Sequence, residues 1–467
     1  MQQQKDITLP EILLAREERV EIQTALLQSF GAPVVCFTMN MAGPVKLTPA
    51  SHRAFLWGMD QLRLGFAQNR FAVLQEHARS LPTGDEGYFA VNAPAQRIKA
   101  LCVQIEQSLP MGRLFDMDVI GPDGRKLERG QERACLVCGE PGRACASRRL
   151  HTVLQLQTAT AELLTSGLFD LARRRLTAAA TRALLEEVAV TPKPGLVDRA
   201  NNGAHRDMDL SSFQASAATL GPYWDRCFLA GRAGDKTPSA LFAALRPLGM
   251  QAERDMLAAT GGVNTHKGAI FTLGILCAAL GVLWSADEGF SEPEAVLDLA
   301  AAMTSETLLA ELETAAWHTA GESLYRRYGA RGIRGQVADG LPAVRELALP
   351  ELRALLAKGY DRNHAAAVTL LHLIAAVEDT NLLHRGGPDG AAWARQAAAA
   401  LIREGRVPEL SEIAELDGQF IARNLSPGGC ADLLAVTLFF DHLHPNTKTH
   451  LKTTGGNHNG SEANPQI

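Results

Sequence analysis

The sequence predicts an α+β domain, a small sheet with helices, followed by a larger all-α domain. Three observations predict it. The chain has 467 residues, more than one compact domain of roughly 150 residues needs. The first third mixes period-2 and period-3.6 apolar patterns, whereas from about Leu168 onward Ala/Leu-rich helical patterns run between polar Gly/Pro-rich loops. Aromatic residues make up only 6%, beside 46% hydrophobic and 21% charged residues. That is the composition of a globular protein, and it excludes a disordered chain, a coiled coil and a disulfide scaffold.

The elements follow in order. Pro10 to Phe30 reads as an amphipathic helix, with proline at its start and Gly31 just past its end. Pro33 to Met39 is a short strand, and a second helix covers Ser51 to Ala67. Strands around Phe71–His77 and Gly87–Val91 flank the turn LPTGDEG, and a third helix covers Ala95 to Ser108. A strand from Arg113 to Ile120 closes on the turn Gly-Pro-Asp-Gly at 121–124. The boundary is expected near Ser166-Gly167, between two helices, giving domains 1–167 and 168–447 and a disordered tail 448–467 poor in packing residues. No internal repeat is found.

Charge narrows the partners. With 46 basic and 51 acidic residues the net charge is −5, which argues against a nucleic-acid binder relying on bulk charge. The N-terminus has no apolar run ahead of its first charges, so no signal peptide is expected. Gly268 to Ala286 carries no charge for 19 residues but holds three glycines. It is expected to be a buried core helix, not a membrane span. Eight cysteines without a secretory signal predict reduced thiols or metal ligands in a cytoplasmic protein.

In the first domain Asp116 and Asp118 lie two apart in GRLFDMDVIG. On a strand both point to one face and can converge on one Mg²⁺, as phosphoryl and nucleotidyl transfer require. The alternative is an exposed strand with two acidic residues by chance. Arg113 and Lys46 are cationic candidates for the same anion. Cys135, Cys138, Cys145 and His151 form C-x2-C-x6-C-x5-H, a spacing suited to tetrahedral Zn²⁺, unless they are unconnected residues in an Arg-rich loop.

In the second domain Asp198 is followed by His205, Asp207 and Asp209, a cluster able to hold a divalent ion beside a polyphosphate. The run Gly261 to Gly268 (GGVNTHKG) fails the G-x-x-x-x-G-K-[ST] pattern, with His266 in place of glycine and Gly268 in place of Ser/Thr. Lys267 at a helix start still makes an anion site, and Ser426-Pro-Gly-Gly429 offers another. Glu378 and Asp379, at the expected end of a helix from His364 to Leu383, precede His384 and Arg385. Either they are a catalytic or metal group or a solvated helix end.

Taken together, TPKPGLVDRANNGAHRDMD, GGVNTHKGAIF, EDTNLLHRGG and SPGGCADLLA make the second part resemble the triphosphoribosyl-dephospho-CoA synthase family. Through FTMNMAGPVK, GRLFDMDVIG and the CLVC…C…H segment the first part resembles the apo-citrate lyase phosphoribosyl-dephospho-CoA transferase family, with a nucleotidyltransferase-like domain. One departure is Cys430, where the family pattern has serine. The resemblance implies a bifunctional transferase that matures citrate lyase. ATP and dephospho-CoA would give the triphosphoribosyl product and adenine, and a serine of the apo acyl carrier (γ) subunit would then take the phosphoribosyl-dephospho-CoA group with release of pyrophosphate. It implies metal or triphosphate roles for Asp198, His205, Asp207 and Asp209, and phosphate contacts for Lys193, His266, Lys267 and Arg385. Glu378 or Asp379 would be the base or oxocarbenium stabiliser, with His384 close by. Asp116 and Asp118 would hold Mg²⁺. Neither nucleic acid nor membrane is an expected partner. A malonate decarboxylase client, or an inactive zinc-stabilised carrier scaffold, are the rival readings.

Overall fold

Four antiparallel strands organise the first part of the chain: β1 Val34–Met39, β2 Ala72–Leu81, β3 Gly84–Asn92 and β4 Phe115–Ile120, in the order β2-β3-β1-β4. The structure is a computed structural model describing residues 5–234, 236–314, 320–403 and 406–444. The tail 448–467, expected to be disordered, lies outside the described residues. The chain divides into two units, one of Met1–Arg174 with Trp284–Ser291 and the other of Arg175–Leu283 with Glu292–Ile467.

The register of the sheet follows from alternation. Thr38 on β1 lies opposite Glu86 on β3 and Asp116 on β4, and Cys36 lies opposite Tyr88 and Asp118. Successive side chains point to opposite faces, so these six share one face. Val35, Phe37, Phe89, Val91, Met117 and Val119 occupy the other and are fully buried. Phe37 stacks on Phe55 and Phe66 meets Phe89 edge-on, which seats the helix Pro49–Gln68 against that apolar face. Ile22, Leu26 and Leu27 of the helix Leu9–Phe30 cover Cys36, Tyr88 and Ile120 on the first face. That helix starts at Thr8 with a capping box to Glu11 and stops at Gly31, whose φ of 59° needs no side chain to oppose it.

The free edge of β4 is closed by side chains. Glu106 accepts the Met117 amide at 2.9 Å and Lys99 donates to the Met117 carbonyl at 2.9 Å, both from the helix Ala95–Gln107. An open row of backbone groups is thereby paired within the chain. The strand begins at Phe115, two residues later than expected. Pro110 opens a 3₁₀ turn to Leu114, and a Cβ on Gly112 would stand 2.4 Å from the Glu106 carbonyl oxygen.

The second unit is helical throughout its described residues. Its central helix, Lys267–Leu283, is buried from Ala269 to Gly281 except at Phe271. A Cβ on Gly274 would stand 2.0 Å from the Tyr223 hydroxyl and one on Gly281 2.1 Å from the Phe228 carbonyl. The glycines of the uncharged stretch therefore let the helix Gly221–Arg232 approach closely. No single helix among the described residues is long and apolar enough to cross a membrane.

Two expectations are corrected. Ser166 and Gly167 lie inside one helix, Val153–Ala189, not between two. Gly167 accommodates Met111, whose side chain would sit 2.6 Å from an added Cβ, so the glycine marks a close approach and not a break. The helix expected from His364 to Leu383 ends at Ala376, and a new one, Thr380–Leu401, starts after Asp379. His384-Arg385-Gly-Gly belongs to that second helix, which kinks at Gly387 (φ 62°) before Pro388. The segment Trp284–Ser291 clusters with the first unit. There Asp287 accepts the Ala50 amide at 3.1 Å and Arg53 donates to the Ala286 carbonyl at 2.7 Å, at the start of the helix Pro49–Gln68.

Candidate active sites

The first unit presents Asp116 and Asp118 on one face of β4, their side chains 45% and 24% exposed. Lys126 reaches Asp118 at 2.5 Å and Arg133 stands 3.6 Å from Asp116. These cations stand beside the pair, and the sequence did not single them out. Arg113 instead donates to the Ala134 carbonyl, and burial followed by Arg133 and Arg129 pushes its pKa down. Lys46 donates to the Met41 carbonyl at 2.6 Å, and burial lowers its pKa. Two water-accessible carboxylates on one strand face, balanced by two cations, fit a divalent ion and a phosphate. Farther along the same face Glu86 is buried yet ion-paired to Arg19 at 2.7 Å and Arg79 at 2.8 Å, and it accepts from the Tyr88 hydroxyl. Burial raises its pKa, but Tyr88 and Arg19 outweigh that and lower it.

Cys135, Cys138, Cys145 and His151 converge, with all four ligand atoms within 4.8 Å of one another. Cys138 Sγ lies 3.4 Å from Cys145 Sγ and 3.2 Å from His151 Nε2. A tetrahedral zinc with Zn–S of about 2.3 Å needs ligand atoms roughly 3.8 Å apart, so little movement is required. The turn is built for it. Gly139 takes φ 77° and donates to the Cys135 carbonyl, while the Cys138 amide turned on the Cys135 sulfur lowers that thiol's pKa. The short helix Gly142–Arg148 then delivers Cys145.

In the second unit a cavity of about 860 Å³ is walled on one side by Phe213, Phe242, Met250 and Phe271, and on the other by polar groups from four chain segments. Two helices aim their N-termini at it: Lys267–Leu283 through His266 to Gly268, and Gly428–Leu443 through Ser426, Gly428 and Gly429. Arg385 Nη2 lies 3.2 Å from His205 Nδ1, and His205 Nε2 lies 2.8 Å from Ser426 Oγ. Arginine can only donate, so Nδ1 accepts and Nε2 carries the proton toward serine. Burial, then Arg385, lowers the His205 pKa and keeps the ring neutral. The Ser426 hydroxyl is left to donate its own proton. Lys267, 55% exposed, pairs with Glu253 at 3.1 Å, and His384 lines the same cavity.

The acidic cluster expected from Asp198 to Asp209 does not assemble. Asp198 is buried and accepts the amides of Lys193, Ala200 and Asn201 at 3.1, 2.6 and 2.9 Å. Asp209 caps the helix Leu210–Thr219 through the Ser212 amide, and Asp207 is 67% exposed and 4.0 Å from His205. Among the described residues no three of them offer ligand atoms together, so this donor set does not fit a metal. Lys193 is 1% exposed and bonded to the Glu187 carboxylate at 2.5 Å and carbonyl at 2.8 Å. Its ammonium is a structural ion pair more than a free phosphate ligand.

Glu378 and Asp379 do not line the large cavity. With Tyr328 and Arg395 they line a separate hollow of about 220 Å³, where Glu378 is exposed. Asp379 is buried and accepts the amides of Asn381, Leu382 and Cys430 at 2.7, 3.1 and 2.8 Å. The expected helix C-terminus, where a carboxylate is opposed, is an N-terminus, where it is favoured. Cys430 is fully buried, and its thiol packs there with a pKa raised by burial. His266 is buried, with Nδ1 on Ser216 Oγ at 2.7 Å and Nε2 without a partner, and burial followed by Lys193 pushes its pKa down to about 3. Sequence reasoning missed Asp417, which holds the TPKPG loop through the Gly195 amide and Asn201, and the cavity residues Glu187 and Asp432. The available signal for Asp432 was a lone acid in an apolar helix directly after a glycine pair.

Comparison with known proteins also finds two parts. Residues 7–167 match the family described as apo-citrate lyase phosphoribosyl-dephospho-CoA transferase, and residues 173–450 match ATP:dephospho-CoA triphosphoribosyl transferase. The chain is 34% identical over 452 residues to Protein CitXG of Haemophilus influenzae, covering 93% of this chain and 96% of that one. It is 44% identical over 275 residues to the 2-(5''-triphosphoribosyl)-3'-dephosphocoenzyme-A synthase of Klebsiella pneumoniae (58% of this chain, 91% of the relative). It is 46% identical over 262 residues to that of Pectobacterium atrosepticum (56% and 86%).

Proposed function

Because the chain belongs to both families joined in one polypeptide, and is thus a bifunctional transferase serving the citrate lyase prosthetic group, we propose which residues perform each of its two reactions. In the second unit dephospho-CoA attacks C1′ of ATP and adenine departs with the triphosphate intact. The triphosphate lies across the two helix N-termini, held by the Gly428 and Gly429 amides, Ser426, Arg385 and Lys267. The observation that carries this is the chain Arg385–His205–Ser426, which ends on a hydroxyl lining the cavity and leaves its proton free to be donated to a phosphate oxygen. The apolar wall of Phe213, Phe242 and Phe271 takes the base or the pantetheine arm.

In the first unit a serine of the γ acyl carrier subunit attacks the α-phosphorus of the product, and pyrophosphate leaves. Asp116 and Asp118 would hold Mg²⁺. When bound, the ion neutralises charge building on the phosphate oxygens. Lys126, at Asp118, and Arg133, between Glu106 and Asp116, would be placed to meet the phosphates when the ion is bound. Cys135, Cys138, Cys145 and His151 hold a structural zinc that ties the segment after β4 into a knuckle.

The test is an assay of both steps on the full chain. Adenine release from ATP and dephospho-CoA reports the second unit, and transfer to apo-carriers of citrate lyase and malonate decarboxylase reports the first and its client. Loss of adenine release on Asp118→Asn would overturn the two-site division. Zinc content of one per chain, lost in Cys138→Ser, tests the knuckle.

A further inference from the structure

We infer that Asp432 is the general acid that protonates the departing adenine. The inference rests on the reading of the second unit given above and deepens it. Asp432 stands in the first turns of the helix Gly428–Leu443 and lines the large cavity. Its carboxyl lies against the start of the helix Lys267–Leu283, where it accepts from the Ala269 backbone. A Cβ on Gly268 would fall 1.9 Å from Asp432 Oδ2. Glycine at that position, where a phosphate loop carries Ser or Thr, is what admits the carboxyl.

Its surroundings favour the protonated form. Glu187 from the helix Val153–Ala189 and Asp379 from the start of Thr380–Leu401 act on it as like charges. Lys193, the cation beside Glu187, is bonded to that carboxylate. Asp379 is saturated by three amides. Burial first, then Glu187 and Asp379, hold Asp432 well above the usual carboxylate range, against the Ala269 amide. Like-charged carboxyls crowded together cannot all ionise at once, so one of them keeps a proton.

The chemistry requires such a proton. Adenine leaves as an anion unless a ring nitrogen is protonated as the C1′–N9 bond breaks. The bond from the dephospho-CoA hydroxyl oxygen to C1′ forms, and the electron pair of C1′–N9 passes to the purine. Asp432 gives its proton to a purine ring nitrogen, so neutral adenine departs. The hydroxyl proton goes to solvent, from which Asp432 is reprotonated, and the balance closes.

The test uses the full-length protein, Asp432→Asn, and single-turnover adenine release with dephospho-CoA. Wild-type protein that released no adenine would refute the underlying reading instead. With active wild type, the expected result is a fall in rate of about 100-fold or more, with the Kd for ATP within about threefold and Asp432→Glu recovering part of the rate. Nicotinamide riboside 5′-triphosphate carries a base that leaves neutral without a proton, and on it the Asn variant should keep most of the wild-type rate. Unchanged adenine release, a Kd for ATP weakened by the same factor as the rate, or an equal loss on the nicotinamide substrate would each overturn the assignment.

Discussion

The two units handle phosphate in opposite ways. In the first, the carboxylates and cations stand on an open strand face, with Asp116 45% exposed and Lys126 60% exposed. In the second, the groups proposed to bind phosphate come from helix starts and loops that line a cavity of about 860 Å³. The difference matches what each must admit. A serine carried on another protein needs a surface that a second fold can approach, whereas displacement of a base from a nucleotide gains from exclusion of water. A sheet offers spacing of two residues along one strand, so two adjacent positions make a site. A helical fold has no such row, and its donors are the unpaired amides at helix starts.

Perturbations can break or sharpen this contrast. The largest effect is expected for Asp118→Asn, which should lower carrier transfer by about 10³-fold or more while adenine release stays within about twofold. Parallel assays on one preparation decide it. Next comes acid sensitivity of the enclosed unit. His266 has a folded-state pKa of about 3 against an ordinary value near 6.5, so the unfolded chain binds the extra proton. Stability is complete above about pH 6.5 and falls as pH drops toward 3, by about 2 kcal/mol at pH 5. Denaturant titrations from pH 7 to 5 should show that slope, and His266→Gln should flatten it. Ser426→Ala should raise the KM for ATP about tenfold, the worth of one hydrogen bond to a charged group, without touching carrier transfer. The smallest is Arg53→Ala, with about 1 kcal/mol lost from the first unit by calorimetry and no change in the KM for ATP.

Legibility differed between the units for a physical reason. The alternation Phe115-Asp-Met-Asp-Val and the spacing of Cys135, Cys138, Cys145 and His151 are local, so sequence distance stood in for spatial distance. In the helical unit it did not. Asp198 and Asp209 read as metal ligands, and Asp379 as a base or oxocarbenium stabiliser, because an aspartate that caps amides is the same residue as one that binds a metal or takes a proton. Most of the amides they cap are two to five residues away, and for Asp379 one further partner, the Cys430 amide, lies 51 residues away. Lys193 looked like a phosphate ligand until Glu187, six residues earlier, was seen to occupy it. Asp432 was overlooked because its neighbours in CADLLAVTLFF are apolar, and its meaning came from Gly268 on another helix.

The segment Trp284–Ser291 carries a consequence for any attempt to divide the molecule. It comes from the second half of the chain but belongs to the first unit, where Asp287 caps the helix Pro49–Gln68 and Arg53 grips the Ala286 carbonyl. The chain leaves the first unit, returns to it for eight residues, and departs again. Cleaving the polypeptide once, anywhere near the helix Val153–Ala189, therefore cannot yield two whole parts. The amino-terminal fragment would lose its clasp, and the carboxy-terminal fragment would bear a tongue with its seat removed.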